Sequence, residues 1–255
     1  MAKWTAFPYD NADYTYDSVQ LEKHWPRLHA GDVEPWPKDD KVVAAWALFH
    51  AGEFRRAFDA GLEAGGAGIT VANKAQSIYA HYLERNEPMK LALFLETAAR
   101  AAAQQASEPK NPNAWYWQAF ALGRYGQGIS VVKALAEGLG DRVKRALEKT
   151  IALAPRHADA HIALGSFHAE VIDKIGRLMG RMQGADAAAG LEMHQRALKL
   201  NPTSAIALLE AAAGLLKIEG DKRRKEAEKL RARAAACTPL DAMGRLDVEA
   251  ARAAL

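Results

Sequence analysis

The sequence predicts an all-α fold built from stacked helix pairs. Alanine, the strongest intrinsic helix former, dominates from Lys90 onward. Apolar residues recur at helical spacing from Asp39 on. Four stretches stop at proline: Glu108-Pro109-Lys110-Asn111-Pro112, Ile151-Ala152-Leu153-Ala154-Pro155, Leu198-Lys199-Leu200-Asn201-Pro202 and Ala236-Cys237-Thr238-Pro239. Proline cannot continue a helix, and three of these stops are followed by a new Ala-rich apolar run, so the prolines punctuate a repeat.

The elements follow in order. Residues 1–38 carry Trp4, Phe7, Tyr9, Tyr14, Tyr16, Trp25 and Trp36 among Pro8, Pro26, Pro35 and Pro37. One short helix is expected there, from an Asp17 or Ser18 cap to about Leu28, with extended flanks. So many aromatics predict an arm packed on the body, since disordered segments are aromatic-poor. From Asp39 the chain reads as helix, tight turn at Ala51-Gly52-Glu53, and helix, ended by Gly65-Gly66-Ala67-Gly68. A second pair spans about Thr70 to Glu84 and Pro88 to Ala106, with Pro88 suited to a first helical turn. A third opens after Pro112 and breaks at Gly126-Gln127-Gly128. Its long second half, Ile129 to Ala154, is interrupted near Gly138-Leu139-Gly140-Asp141. A fourth runs from Ala158 to about Leu178 and, past Gly184, from Ala185 to Leu200. The fifth runs from Ser204 to about Ile218, turns at Glu219-Gly220-Asp221 and continues to Ala236. A last helix, about Asp241 to Ala254, caps the stack. The organisation expected is an arm, 1–38, and one helical repeat domain, 39–255.

Composition bounds the function. The 255 residues are 49% hydrophobic and 25% charged, ordinary for a soluble globular protein. A net charge of +3, from 34 basic and 31 acidic residues, is too slight to predict nucleic-acid binding. The single cysteine, Cys237, rules out an internal disulfide and a cysteine-rich metal site and points to a reducing compartment. No signal peptide is visible, and no stretch approaches about 20 uninterrupted apolar residues, so a cytoplasmic chain without a membrane span is expected.

Thr150-Ile151-Ala152-Leu153-Ala154-Pro155 followed by Ala158, Ala160, Leu164 and Gly165 resembles the tetratricopeptide pattern. So do Ala197-Leu198-Lys199-Leu200-Asn201-Pro202 with Ala205, Ala207, Ala211 and Ala212; Gly52-Glu53-Phe54 with Ala57; and Ala227, Ala234 and Pro239. Small residues at these places let paired helices approach, and bulky ones fill the space between pairs. The gaps from Pro112 to Pro155, Pro202 and Pro239 are 43, 47 and 37 residues, against about 34 for the regular unit. The units are therefore enlarged, after Gly128 and after His168. The stretch Trp115-Tyr116 … Gly128-Ile129 … Lys149 to Pro155 … Ala160 to Gly165 is similar to the regulator of microtubule dynamics family and its bacterial relatives. It also resembles bacterial tetratricopeptide proteins that accompany transport systems. The resemblance implies a right-handed α–α superhelix of about five TPR-like helix pairs, with the N-terminal arm and the C-terminal capping helix added.

That resemblance places the first helix of each pair along a concave groove. It projects Trp46, Phe49 and His50 there from the first pair, and His81 and Arg85 from the second. Trp115, Gln118, Leu122 and Tyr125 come from the third, and Ile162 and Ser166 from the fourth. Apolar and aromatic residues with a few polar groups suit an extended peptide or a small amphipathic ligand, unless the arm itself fills the groove. The Lys/Asn clamp of chaperone-binding relatives is absent, since its slots hold Val42, Trp46, Ser77 and His81.

Other candidates read as structure. His157, His161 and His168 have metal-like spacing on a helix, but they sit at a helix start and in packing slots. Cys237 has no histidine near it in sequence. Gly65 to Thr70 lacks the Gly-Lys-Ser/Thr ending of a phosphate loop, and no strand precedes Gly123 to Gly128. Lys222-Arg223-Arg224-Lys225, with Lys229, Arg231 and Arg233 among Glu226 and Glu228, reads as a solvated helix face. Val171, Ile172, Ile175, Leu178, Met179 and Met182 share one helical face, suited to a neighbouring helix or a membrane surface. The function expected is a non-catalytic scaffold or adaptor, without cofactor or metal, that binds a protein or peptide in its groove. A small-ligand accessory protein is the alternative, and a metal enzyme built on the three histidines a further one.

Overall fold

The computed structural model describes residues 4–255, and among these every regular element is helical. A 3-10 turn at Ala12–Tyr14 precedes α1 (Ser18–Leu28), α2 (Asp40–His50), α3 (Phe54–Ala64), α4 (Gly68–Tyr82), α5 (Glu87–Ser107) and α6 (Pro112–Gln127). Then come α7 (Val131–Ala136), α8 (Leu139–Leu153), α9 (Ala158–Met182), α10 (Ala187–Leu200), α11 (Ala205–Glu219), a 3-10 turn at Gly220–Arg223, α12 (Arg224–Ala235) and α13 (Ala242–Ala253).

Helix starts follow side-chain chemistry. Asp17 and Gln20 form a reciprocal capping box at α1. Asp39, Asn86, Asn111, Asp186 and Ser204 each accept a backbone N–H from the first turn of α2, α5, α6, α10 and α11. His157 does the same for α9 through its ring Nδ1. Pro88 and Pro112 occupy first-turn positions, where a missing N–H loses nothing. The stops at Pro109, Pro155, Pro202 and Pro239 all fall just beyond helix ends. The expected helix 158–178 instead runs to Met182 through a break at Gly176, whose φ of 77° lies in the left-handed region that only glycine adopts freely.

The chain divides into two compact units. Among the described residues one comprises 4–29, 34–130 and 240–243, and the other 30–33, 131–239 and 244–255. In the first, each helix from α2 to α6 packs on the next, and α2 also packs on α4 and α4 on α6. The glycines Gly61 and Gly68 let α3 and α4 touch backbone to backbone, since a Cβ on either would meet the other's carbonyl oxygen at 2.5 Å. Helix α4 lies at the centre, with every residue from Thr70 to Ala80 buried. In the second unit α9 packs on α8, α10 and α11, and α11 on α10 and α12. There Leu208, Leu215, Leu230 and Val248 fill an apolar core whose alanines, among them Ala211, Ala212, Ala227, Ala234 and Ala251, set the close helix spacing.

One ring organises α9, α10 and α11. His194 of α10 slots between Gly165 of α9 and Gly214 of α11. A Cβ on Gly165 would lie 2.9 Å from the ring, and one on Gly214 would lie 2.5 Å from Nε2. Both ring nitrogens are buried without a hydrogen-bond partner among the described residues. Burial lowers the imidazole pKa to about 4, the nearby Glu210 carboxylate only partly opposing it. The unfolded histidine, near 6.5, binds more protons than the folded one below that pH. Stability is therefore fully present above about pH 6.5 and falls as the pH drops toward 4. His194 alone is expected to remove about 2 kcal/mol between pH 7 and pH 5. Urea unfolding followed across that range checks this. His194→Leu flattens the dependence, and what remains comes from His81, His161 and His168, whose pKa values burial also lowers.

Candidate functional site

The first unit holds the densest cluster of aromatic and titratable side chains. Trp46, Phe49 and His50 of α2 are fully buried. Above them lie Trp25 and His29 at the end of α1, whose rings stack at 3.9 Å, and Trp25 meets Trp46 edge-on at 5.7 Å. The Trp25 indole N–H donates to the Glu34 carbonyl at 2.8 Å, which fixes the loop after α1. His50 is the hub. Its Nδ1 lies 2.7 Å from Asp241 Oδ2, and its Nε2 lies 3.3 Å from His29 Nε2. With the carboxylate ionised, Nδ1 carries the proton toward Asp241 and Nε2 accepts from His29. The Lys74 ammonium stands over the Trp46 and Phe49 rings at 5.4 and 5.1 Å.

Between α4 and α5 runs a polar layer. Arg100 donates to Asn73 and Gln76, and Asn73 donates to Gln104. Gln104 in turn donates to Thr70, and Gln76 to Glu96. Burial lowers the Arg100 pKa to about 10, so the guanidinium stays charged at neutral pH. It also lies 5.0 Å from the Phe58 ring. The polar residues of α4 are the main feature that sequence reading missed. Its signal was present, because Thr70, Asn73, Lys74, Gln76 and Ser77 put five polar residues on one side of a single helix.

The arm lies on this unit. Trp4 stacks on Tyr79 with ring centroids 4.1 Å apart and planes 10° apart, and it lies beside Phe58 under the Arg55 guanidinium. The Thr5 backbone N–H donates to Tyr79 Oη at 3.3 Å. Phe7 packs against Gly52 and edge-on to Phe54. Asn11 donates to the Ala51 carbonyl at 2.7 Å, and Tyr16 Oη to the Leu240 carbonyl at 2.5 Å.

The residues projected onto a groove lie in several separate places. Trp46, Phe49 and His50 lie beneath α1. His81, with part of its surface open, stands edge-on to Phe120 of α6. Burial, with Arg124 and Lys90 adding to it, holds the His81 imidazole pKa well below its ordinary value. Arg85 is exposed. Trp115 and Gln118 face elsewhere: the Trp115 indole donates to the Pro109 carbonyl, and Gln118 accepts from Gln105 of α5. Leu122 and Tyr125 are buried. In the second unit Ile162 is buried against Ala197 and Ala207, and the Ser166 hydroxyl donates to Glu210.

The three spaced histidines each hold backbone or a packing neighbour. His157 caps α9, His161 contacts the Pro155 carbonyl and Met193 Sδ, and His168 accepts the Asp186 N–H. Among the described residues no group of three or more His, Cys, Asp or Glu could hold a metal ion. Cys237 is half-buried, and burial raises its thiol pKa. Lys222, Arg224, Lys225, Lys229 and Arg233 are exposed, with Arg223 and Arg224 paired to Glu226 and Asp221. The apolar face expected from Val171 to Met182 is split by the Gly176 break: Ile172 packs inside, while Leu178 is 77% and Met182 74% exposed. No described helix is long and apolar enough to cross a membrane.

No protein-family model matches this sequence, and no curated protein matches it either. Its own geometry therefore carries the functional reading. In the first unit the buried Lys74 ammonium stands over Trp46 and Phe49, and the irregular segment before α1 places its Trp4 ring flat on Tyr79.

Proposed function

We propose that the chain is a non-catalytic scaffold of the tetratricopeptide kind, which binds a protein or peptide segment against the faces of its helices. Two features of the packing support a superhelical repeat. Each helix packs on the next, and the first helices of successive pairs also touch, α2 with α4, α4 with α6, and α9 with α11. The observation that carries the binding role is the arm. Residues 4–11 run as irregular chain without helix or strand, and the helices hold them through aromatic stacking and hydrogen bonds that involve main-chain groups. A surface that holds one such segment has the chemistry to hold another.

Panning a random peptide library against the full chain tests this. Enrichment of peptides that bind saturably, with aromatic residues at a recurring spacing, is the expected result. Failure of every peptide to bind above a scrambled control sinks the scaffold reading.

A further inference from the structure

We infer that the slot holding Trp4 and Phe7 is a recognition site for a partner segment with the same aromatic spacing, and that the arm is a built-in competitor for it. This rests on the scaffold reading above and names the ligand of that surface.

The slot has two seats and a backbone contact. The first seat is three-sided: Tyr79 stacks face to face on Trp4, Phe58 flanks it at 5.4 Å, and the Arg55 guanidinium covers it at 5.6 Å. Tyr79 is itself tied to Glu84 at 2.9 Å, so the platform is fixed before anything lands on it. The second seat is made by a missing side chain. A Cβ on Gly52 would lie 2.8 Å from Phe7 Cγ, so a bulkier residue there closes the seat. Gly52 also has φ of 83°, which disfavours any replacement. Between the seats the Thr5 N–H is read by Tyr79 Oη, while the Thr5 and Ala6 side chains are exposed. The site therefore reads an extended segment with aromatic residues at i and i+3 and ignores what lies between. Such residues stand roughly 10 Å apart in extended chain.

The arm is built to leave in part. Leu21 and Trp25 of α1 are core, but Trp4, Phe7 and Tyr9 are only half-buried. Tyr14 is core as well, so residues 4–10 can lift while Tyr14 and α1 stay docked. A tethered segment faces its site at an effective concentration of about millimolar. A free segment with equal contacts is therefore largely excluded from the intact protein, and a partner must bind better or find the arm displaced.

The test uses the full chain and a labelled peptide of residues 4–16 of this sequence. In the variant carrying Trp4→Ala and Phe7→Ala, the peptide is expected to bind at least tenfold tighter than to the unaltered protein. Adding Phe58→Ala to that variant is expected to lose the binding. Equal binding to the variant and the unaltered protein, or none to a folded variant, overturns the inference. A dimer of the unaltered protein that Trp4→Ala plus Phe7→Ala abolishes also overturns it, because the occupant would then be a second copy's arm. Should the variant not fold, hydrogen exchange on the unaltered protein decides. The amides of residues 5–11, Pro8 aside, are expected to exchange at least a hundredfold faster than those of α4 without global unfolding. Equal protection overturns the inference. Library peptides that bind while the arm peptide does not would overturn this inference and leave the scaffold reading standing.

Discussion

Gly214→Ala is expected to destabilise the protein by about 3 kcal/mol. Alanine in a helix interior normally gains up to about 1 kcal/mol over glycine, so the sign depends on space. At Gly214 the new Cβ would lie 2.5 Å from His194 Nε2 and 2.7 Å from Cδ2, closer than real Cβ contacts come. The ring has little room to retreat, because Gly165 packs so close on it that a Cβ there would lie 2.9 Å from Cδ2. Overpacking therefore exceeds the propensity gain. Two comparisons check the cause. Gly123→Ala in α6, with nothing within 4 Å of the added carbon, is expected to stabilise by about 0.5 kcal/mol. Gly214→Ala combined with His194→Ala is expected to cost at least about 1 kcal/mol less than the sum of the two alone, as contacting residues do. Strict additivity in urea unfolding would show that the ring and the glycine do not share one slot.

The helix boundaries were legible in the sequence because local chemistry sets them. Asp17, Asp39, Asn86 and Asn111 cap where their short acceptors predict, and Pro109, Pro155, Pro202 and Pro239 stand just outside helix ends. The arm's aromatics also signalled that it packs. Where it packs was not readable, because Trp4 meets Tyr79 across 75 residues of chain and no local pattern encodes that pairing. The same limit hid the site. Trp46, Phe49 and His50 have the spacing of a ligand-facing stripe, and their burial depends on α1 lying over them. Asp241 reads as the start of a capping helix, and its role appears only when the fold sets it against His50. His194 was invisible for a further reason. A histidine on an amphipathic helix implies nothing until Gly165 and Gly214, on two other helices, are seen to leave room for its ring.

Asp241→Ala is expected to cost about 3 kcal/mol. His50 is fully buried and its Nδ1 proton is directed at Asp241 Oδ2, 2.7 Å away. Without the carboxylate this donor loses that acceptor in an apolar, aromatic surround, a desolvation penalty of about 1–3 kcal/mol that approaches the value for a broken buried ion pair. The loss extends along the relay, because the His50 tautomer held by Asp241 is the one whose Nε2 accepts from His29. His29 stacks on Trp25, so the near-ultraviolet circular dichroism of the tryptophan cluster should weaken together with stability. Asp241→Asn separates geometry from charge. Its amide oxygen can still accept from Nδ1, so a neutral relay predicts a cost of only about 1 kcal/mol. Asn and Ala variants equally destabilised would mean instead that the carboxylate charge holds the cluster. His50→Leu combined with Asp241→Ala removes donor and acceptor together. It is expected to be less destabilising than the two single losses added, since the His50 Nδ1–H that Asp241→Ala strands is itself removed.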